Sequence, residues 1–205
     1  MKSLILKFDP EPSGRFAHQV LKGTGIKGIL IGRLAVWAWV DEPSEHAYTK
    51  DIDIAVTKED LPKIYAWLAE HKITTIRQLV LGGINVNQVK ESINIDFITR
   101  SGEFGDLSQL FEDAIKEALK SKRTIEIGGE VLSLVSSEHL IAMKIGTGER
   151  EDERDAARVL DYAKVDVKKA RHLVMTFLGP AGIGKLEAIL REIGHPSARK
   201  RGKYN

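Results

Sequence analysis

The chain has 205 residues and a mass of 22.8 kDa, with 42% hydrophobic and 29% charged residues, enough to bury a core as one domain or as a core with a small helical appendage. Its 31 Lys and Arg against 29 Asp and Glu leave a net charge of +2, which excludes a global field for nucleic acid. The absence of cysteine excludes a disulfide framework and a thiolate zinc site. No apolar stretch approaches the roughly 20 residues needed to span a bilayer. Leu4-Ile5-Leu6 is too short for a signal-peptide core, so a cytoplasmic protein with no membrane partner is expected. One local charge run stands out. Arg199-Lys200-Arg201-Gly202-Lys203 reads as a solvated terminus or as a contact for a phosphate backbone.

In chain order, Arg15 to Leu21 reads as a short helix after Pro10, Pro12 and Gly14. Ile29-Leu30-Ile31 reads as a buried strand closed by Gly32, and Leu34 to Val40 as a helix stopped by Asp41-Glu42-Pro43. A polar connection from Asp41 to Lys50 leads into a strand over Ile52 to Val56. Thr57 opens a helix with Glu59 and Asp60 in its first turn, where acidic groups suit the helix dipole. Leu61, Ile64, Tyr65 and Leu68 give it one apolar stripe.

Ile76 to Leu81, Ile84 to Val89 and Ile93 to Ile98 read as strands, with Gly82-Gly83 as a two-residue hairpin turn. An amphipathic helix over Leu107 to Leu119 follows, then a second hairpin, Thr124 to Ile127 and Val131 to Val135, around Gly128-Gly129. Helices are expected over 137–145, 149–163, 167–178 and about 182–193, with Asp166 capping the third and Gly179-Pro180 ending it. The fold class is α+β, a mixed α/β core over 1–135 followed by a helical segment over 136–205 that carries the basic tail.

The chemistry is concentrated on acidic strands. In Asp51-Ile52-Asp53-Ile54 alternation puts both carboxylates on one face and both isoleucines on the other. Such carboxylates repel one another unless a cation or an arginine neutralises them. Ile93-Asn94-Ile95-Asp96-Phe97 presents a third carboxylate, which joins the first two if its strand pairs beside theirs. Three such groups suit Mg²⁺ or Mn²⁺, hard ions that take oxygen ligands and leave positions for substrate phosphates. An isolated Asp-x-Asp also reads as two solvated aspartates. Gly32 ends a strand and opens a helix, exposing backbone N–H groups for phosphate, while Arg33 reads as a further phosphate charge or an ordinary first-turn residue.

Other charged and aromatic groups stay open. Lys144 stands just before Gly146 and Gly148, where a lysine also suits a helix C-terminus. Glu149 to Asp155 alternates charges as a solvated, ion-paired face does, with Arg150 and Arg154 as phosphate candidates. The six histidines show no metal-ligand spacing, and His46, in the loop before the aspartates, is the one worth probing. Trp37 and Trp39 read as helix packing or, for one of them, a base pocket.

Taken in order, Gly32, Asp51, Asp53 and Asp96 resemble the nucleotidyltransferase superfamily, the fold of DNA polymerase beta. Its usual pattern is a strand, Gly-Gly or Gly-Ser, a helix, Asp-x-Asp or Asp-x-Glu on a strand, and a third acidic strand residue. Within it the chain looks most like the minimal group that includes AbiEii-type toxins. That likeness rests on Ile31 to Ala35, Thr49 to Ile54, Val135 to Lys144 and Glu153 to Leu160.

The resemblance implies a central mixed sheet flanked by helices, with a C-terminal helical segment. It implies Asp51, Asp53 and Asp96 as catalytic metal ligands, Asp96 alternatively as general base, and Gly32, Arg33, Thr49, Lys144 and Asp155 around the nucleotide. The implied activity is Mg²⁺-dependent transfer of a nucleoside monophosphate from an NTP to a tRNA end, a protein hydroxyl or a small molecule such as an aminoglycoside. An antitoxin is the implied partner if the chain is a toxin. Three positions depart from the pattern: Arg33 replaces the second small residue, Ala47 stands where many relatives have arginine, and Arg158 stands where an acidic residue is expected. They support the alternative of a non-catalytic nucleotide- or partner-binding protein on the same fold.

Overall fold

The computed structural model describes residues 9–102 and 107–198. The basic tail at Arg199 to Lys203 and the Leu4-Ile5-Leu6 run lie outside them. The chain forms two compact units, one of residues 1–34 and 47–135, the other of residues 35–46 and 136–205.

The first unit is built on a seven-stranded mixed sheet in the order β3-β4-β5-β2-β1-β7-β6. Its strands are β1 (Ile29–Ile31), β2 (Ile52–Ala55), β3 (Ile76–Gln78), β4 (Gly83–Gln88), β5 (Ile93–Ile98), β6 (Thr124–Ile127) and β7 (Glu130–Leu134). β2 runs parallel to β5, and β1 parallel to β7; the other neighbours are antiparallel. Alternation sorts the faces. Ile52 and Ile54, Ile95 and Phe97, and Ile84 and Val86 are wholly buried, while Asp53 and Asp96, between them in sequence, are half-exposed. Each fully buried side chain of this size stabilises the fold by about 1.5–3 kcal/mol.

Helix α1 (Glu11–Thr24) packs on β5 and β7 and against α3 (Leu61–Glu70). It starts four residues earlier than Arg15, because Pro12 sits in the first turn, where a missing N–H costs nothing. α2 (Gly32–Trp39) starts at the glycine itself, two residues before the expected Leu34. Lys58–Asp60 form a 3-10 turn that precedes α3, rather than its first turn. Of the expected stripe, Ile64 and Leu68 are buried, whereas Tyr65 is exposed. Helix α4 (Ser108–Ser121) completes the flank of this unit.

The two glycine pairs behave differently. Gly128 and Gly129 both have positive φ, +64° and +80°, and join Ile127 to Glu130 as a two-residue turn. Gly82 and Gly83 also have positive φ, +92° and +117°, but do not form a two-residue turn. The turn there spans Leu79 to Gly83, and Gly83 is a β4 residue opposite Ile98. A β-carbon on Gly83 would fall 2.1 Å from the Phe97 carbonyl oxygen, so the glycine serves strand approach.

The second unit holds α5 (Ser137–Thr147), α6 (Arg150–Tyr162) and α7 (Val167–Glu192). Ser136 caps α5 by accepting from the His139 N–H at 3.2 Å, and Gly148, with φ +74°, closes it. Asp166 caps α7 as expected, accepting from the N–H groups of Lys168 and Lys169 at 3.0 and 3.1 Å. By length and composition α7 is long and apolar enough to cross a membrane. Gly179, at φ 67° and ψ −163°, is non-helical and divides it at the expected position, leaving two arms each shorter than the roughly 20 residues a span requires.

Candidate active site

Six of the expected site residues, Gly32, Arg33, Thr49, Asp51, Asp53 and Asp96, lie in the first unit. β1 ends at Ile31, which pairs with Asp53 of β2. Gly32 then turns the chain into α2 with φ +66°, a conformation that L side chains resist. A β-carbon there would lie 1.8 Å from Asp53 Oδ2, so the carboxylate rests against a bare α-carbon. The N-terminus of α2, the positive end of its dipole, therefore starts beside a carboxylate on the neighbouring strand.

The parallel register of β2 and β5 sets Asp53 opposite Asp96. The row continues through Asn85 on β4, which faces Asp96, to Arg77 on β3, which faces Asn85. Four polar side chains thus cross four strands on one rung. Asn85 donates through its side-chain amide to Asp96 Oδ1 at 2.6 Å and to Asn94 Oδ1 at 2.9 Å. Burial pushes the Asp96 carboxyl above its ordinary range. The Asn85 hydrogen bond opposes that rise, the charge of Asp51 adds to it, and Arg77 and Lys50 offset part.

Asp51 lies just before β2 and is held by Thr49, whose buried hydroxyl donates to Asp51 Oδ1 at 3.2 Å. Arg33 donates to the Tyr48 carbonyl at 2.7 Å and so fastens the same loop. His46 belongs to the second unit, where its ring stacks on Trp37 with centroids 5.2 Å apart and its Nε2 lies 2.7 Å from the Val40 carbonyl oxygen.

The donor set is all oxygen, carries several negative charges and leaves Asp96 with one oxygen free of hydrogen bonds among the described residues. That chemistry fits Mg²⁺ or Mn²⁺. The three carboxylates are not yet gathered: among the described residues no group of three or more His, Asp or Glu stands close enough to hold an ion.

Lys144 and Asp155 come together in the second unit. The Lys144 ammonium lies 2.5 Å from Asp152 and 3.0 Å from Asp155, whose side chain is wholly buried. Burial alone would lower the Lys144 pKa, but the two carboxylates outweigh it and hold the ammonium above its ordinary range. Arg158 donates to Asp155 Oδ1 at 2.9 Å and reaches Glu45 at 3.5 Å. The cation standing where an acid was expected thus neutralises a buried carboxylate. Of the two arginine candidates in the charge run, Arg154 pairs with Glu151 on an exposed surface.

Asn85 and Arg77 are absent from the sequence expectations. The signal was present in Ile84-Asn85-Val86-Asn87, where a strand alternation sets asparagine on the face opposite two buried apolar residues.

The mixed sheet flanked by helices is an α+β fold, on which the glycine-opened helix and the carboxylates of the paired parallel strands β2 and β5 lie together. No protein-family model matches the chain, and no curated protein matches its sequence. Among solved structures, an antigenic nucleotidyltransferase-like protein from Paracoccidioides brasiliensis superposes with a TM-score of 0.50 at 14% identity, covering 88% of this chain and 92% of that one. The antibiotic-resistance factor ANT(2'')-Ia gives 0.48 at 14% identity, over 88% and 96% of the two chains. A tRNA nucleotidyltransferase, complexed with a primer tRNA and an incoming ATP analog, gives 0.33 at 12% identity, over 86% and 60%. At such identities the first likeness is one of fold. The chain has the fold of nucleotidyltransferase-like proteins.

Proposed function

We propose that the protein is a Mg²⁺-dependent nucleotidyltransferase that moves a nucleoside monophosphate from an NTP to an acceptor hydroxyl and releases pyrophosphate. The observation that carries this is the placement of Asp53, in register with Asp96 on β5 and pressed against Gly32 at the start of α2. Asp51, Asp53 and Asp96 hold the divalent cation, and the N–H groups after Gly32 hold the triphosphate. A divalent cation there supplies charge neutralisation and Lewis acidity at the transferred phosphoryl group. Asp96 keeps Oδ2 for the cation or for the acceptor's proton. Thr49 orients Asp51, and Arg33 keeps the intervening loop in place. The acceptor class is an RNA end, a protein hydroxyl or a small molecule.

The test has two stages. NTP with Mg²⁺ should raise the melting temperature of the protein, and Asp51→Ala and Asp53→Ala should abolish the increment. Pyrophosphate release over total RNA, protein and small-molecule acceptors should then be absent in Asp53→Ala. Stabilisation independent of both aspartates would defeat the proposal.

A second reading is favoured by Lys144, whose charge is matched by Asp152 and Asp155, together with carboxylates that are not drawn into a ligand set. It is a nucleotide- or partner-binding protein without turnover. NTP binding with no pyrophosphate release over any acceptor class would establish it. The likeness of Ile31 to Ala35, Thr49 to Ile54, Val135 to Lys144 and Glu153 to Leu160 to AbiEii-type toxins extends the first reading to a toxin–antitoxin pair. Growth arrest on expression, relieved by Asp51→Ala, is its expected sign.

A further inference from the structure

We propose that Asn85 is a positioning residue of this site: its side-chain amide fixes the Asp96 carboxylate in one orientation and leaves a single oxygen for cation or acceptor. The proposal rests on Asp51, Asp53 and Asp96 being the cation-binding carboxylates.

The β4–β5 register places Asn85 directly opposite Asp96, where cross-strand side chains meet. Asparagine is depleted in strands, and here it is only 8% exposed on a strand paired on both sides. A buried amide is costly unless both its N–H groups are used. Both are, at 2.6 Å to Asp96 Oδ1 and 2.9 Å to Asn94 Oδ1. Turning the amide over would set its oxygen against a carboxylate oxygen, so chemistry fixes its sense.

Asn94 is itself anchored. Its side chain donates to the Lys50 carbonyl at 3.1 Å, and its backbone N–H donates to the Ser13 hydroxyl at 3.0 Å. The Asp96 rotamer is thus tied through Asn85 and Asn94 to the segment that carries Asp51 and to helix α1. A strand position that breaks its local propensity and spends both donors on this chain suits a support for a functional carboxylate. An asparagine kept only for its own packing would need no carboxylate partner.

The experiment uses the full chain, with Mn²⁺ binding followed by electron paramagnetic resonance and the Asp96 side-chain rotamer followed by three-bond NMR couplings. Asn85→Leu keeps the approximate shape, and Asn85→Ala serves if the leucine variant does not fold. The expected result is Mn²⁺ binding weakened roughly 10- to 100-fold, with the Asp96 rotamer fixed in the parent protein and averaged in the variant. Unchanged Mn²⁺ affinity in the variant overturns the proposal. If the parent protein binds no Mn²⁺, the cation reading fails by itself, and the couplings still decide for Asn85. Averaging on substitution then supports positioning, and a single Asp96 rotamer in every form overturns it.

Discussion

The carboxylate of Asp53 leans on the α-carbon of Gly32 so closely that a β-carbon there would lie 1.8 Å from Oδ2. Two independent constraints act on that glycine, the contact and its φ of +66°. Gly32→Ala should therefore cost about 1–2 kcal/mol for the left-handed backbone alone, before Asp53 is displaced. Urea denaturation should show a lower midpoint. Under the proposed function, pyrophosphate release should fall further than the lost stability accounts for, because the substitution also moves a carboxylate assigned there to the cation. Stability and release both at parent levels would break the link between glycine and carboxylate.

Lys144 is buried between Asp152 and Asp155, and removing one partner of a buried pair leaves uncompensated charge. Lys144→Met should destabilise the protein by about 3–5 kcal/mol, read by chemical denaturation. The pH dependence has a definite sign. The folded-state pKa of Lys144 is raised, so its contribution is complete below the unfolded value of about 10.4 and is lost as pH rises through the folded value. The parent protein should lose stability in that alkaline range more steeply than Lys144→Met. Equal slopes would show that the pair contributes nothing.

Much of this was legible in the amino-acid sequence because it is local. Gly128-Gly129 marked its hairpin, Asp166 marked its helix, and Asp53 and Asp96 showed their strand phase in their neighbours. What escaped depends on register and tertiary packing. Asn85 becomes informative only when β4 sets it against Asp96, and Arg77 only when β3 extends the same rung. Gly83 mimicked a turn glycine because its real constraint is the Phe97 carbonyl on the next strand. Lys144 read as a nucleotide contact or a helix-terminal charge, and its pairing with Asp152 and Asp155 escaped because nothing in its own helix announces those carboxylates on the following one.

Asp96 couples function to a stability penalty. Its carboxyl pKa is raised chiefly by burial, so the native state favours the protonated acid. That contribution is present below the unfolded value of about 3.9 and is lost as pH rises through the folded value. Asp96→Asn keeps an oxygen for the Asn85 amide and removes the charge. At neutral pH the variant should be more stable than the parent in metal-free buffer. The difference should shrink as pH falls toward 4, and pyrophosphate release should vanish. Saturating Mg²⁺ with NTP should stabilise the parent and not the variant, which thermal melts at two pH values would check.

Arg158 stands where the sequence resemblance led to an acidic residue being expected, and its guanidinium lies 2.9 Å from the wholly buried Asp155. Arg158→Asp would restore the expected charge and set a second carboxylate beside the first. In this chain that exchange removes an ion pair to Asp155 and one to Glu45, and replaces attraction by repulsion next to a group with no solvent to screen it. The variant should therefore be destabilised by several kcal/mol, on the order of a broken buried pair, with no gain in pyrophosphate release. Arg158→Lys, which keeps the charge but loses the forked geometry, should fall between the two. If Arg158→Asp were instead to raise turnover at unchanged stability, Arg158 would be a lesion in the catalytic site and not a replacement partner for Asp155.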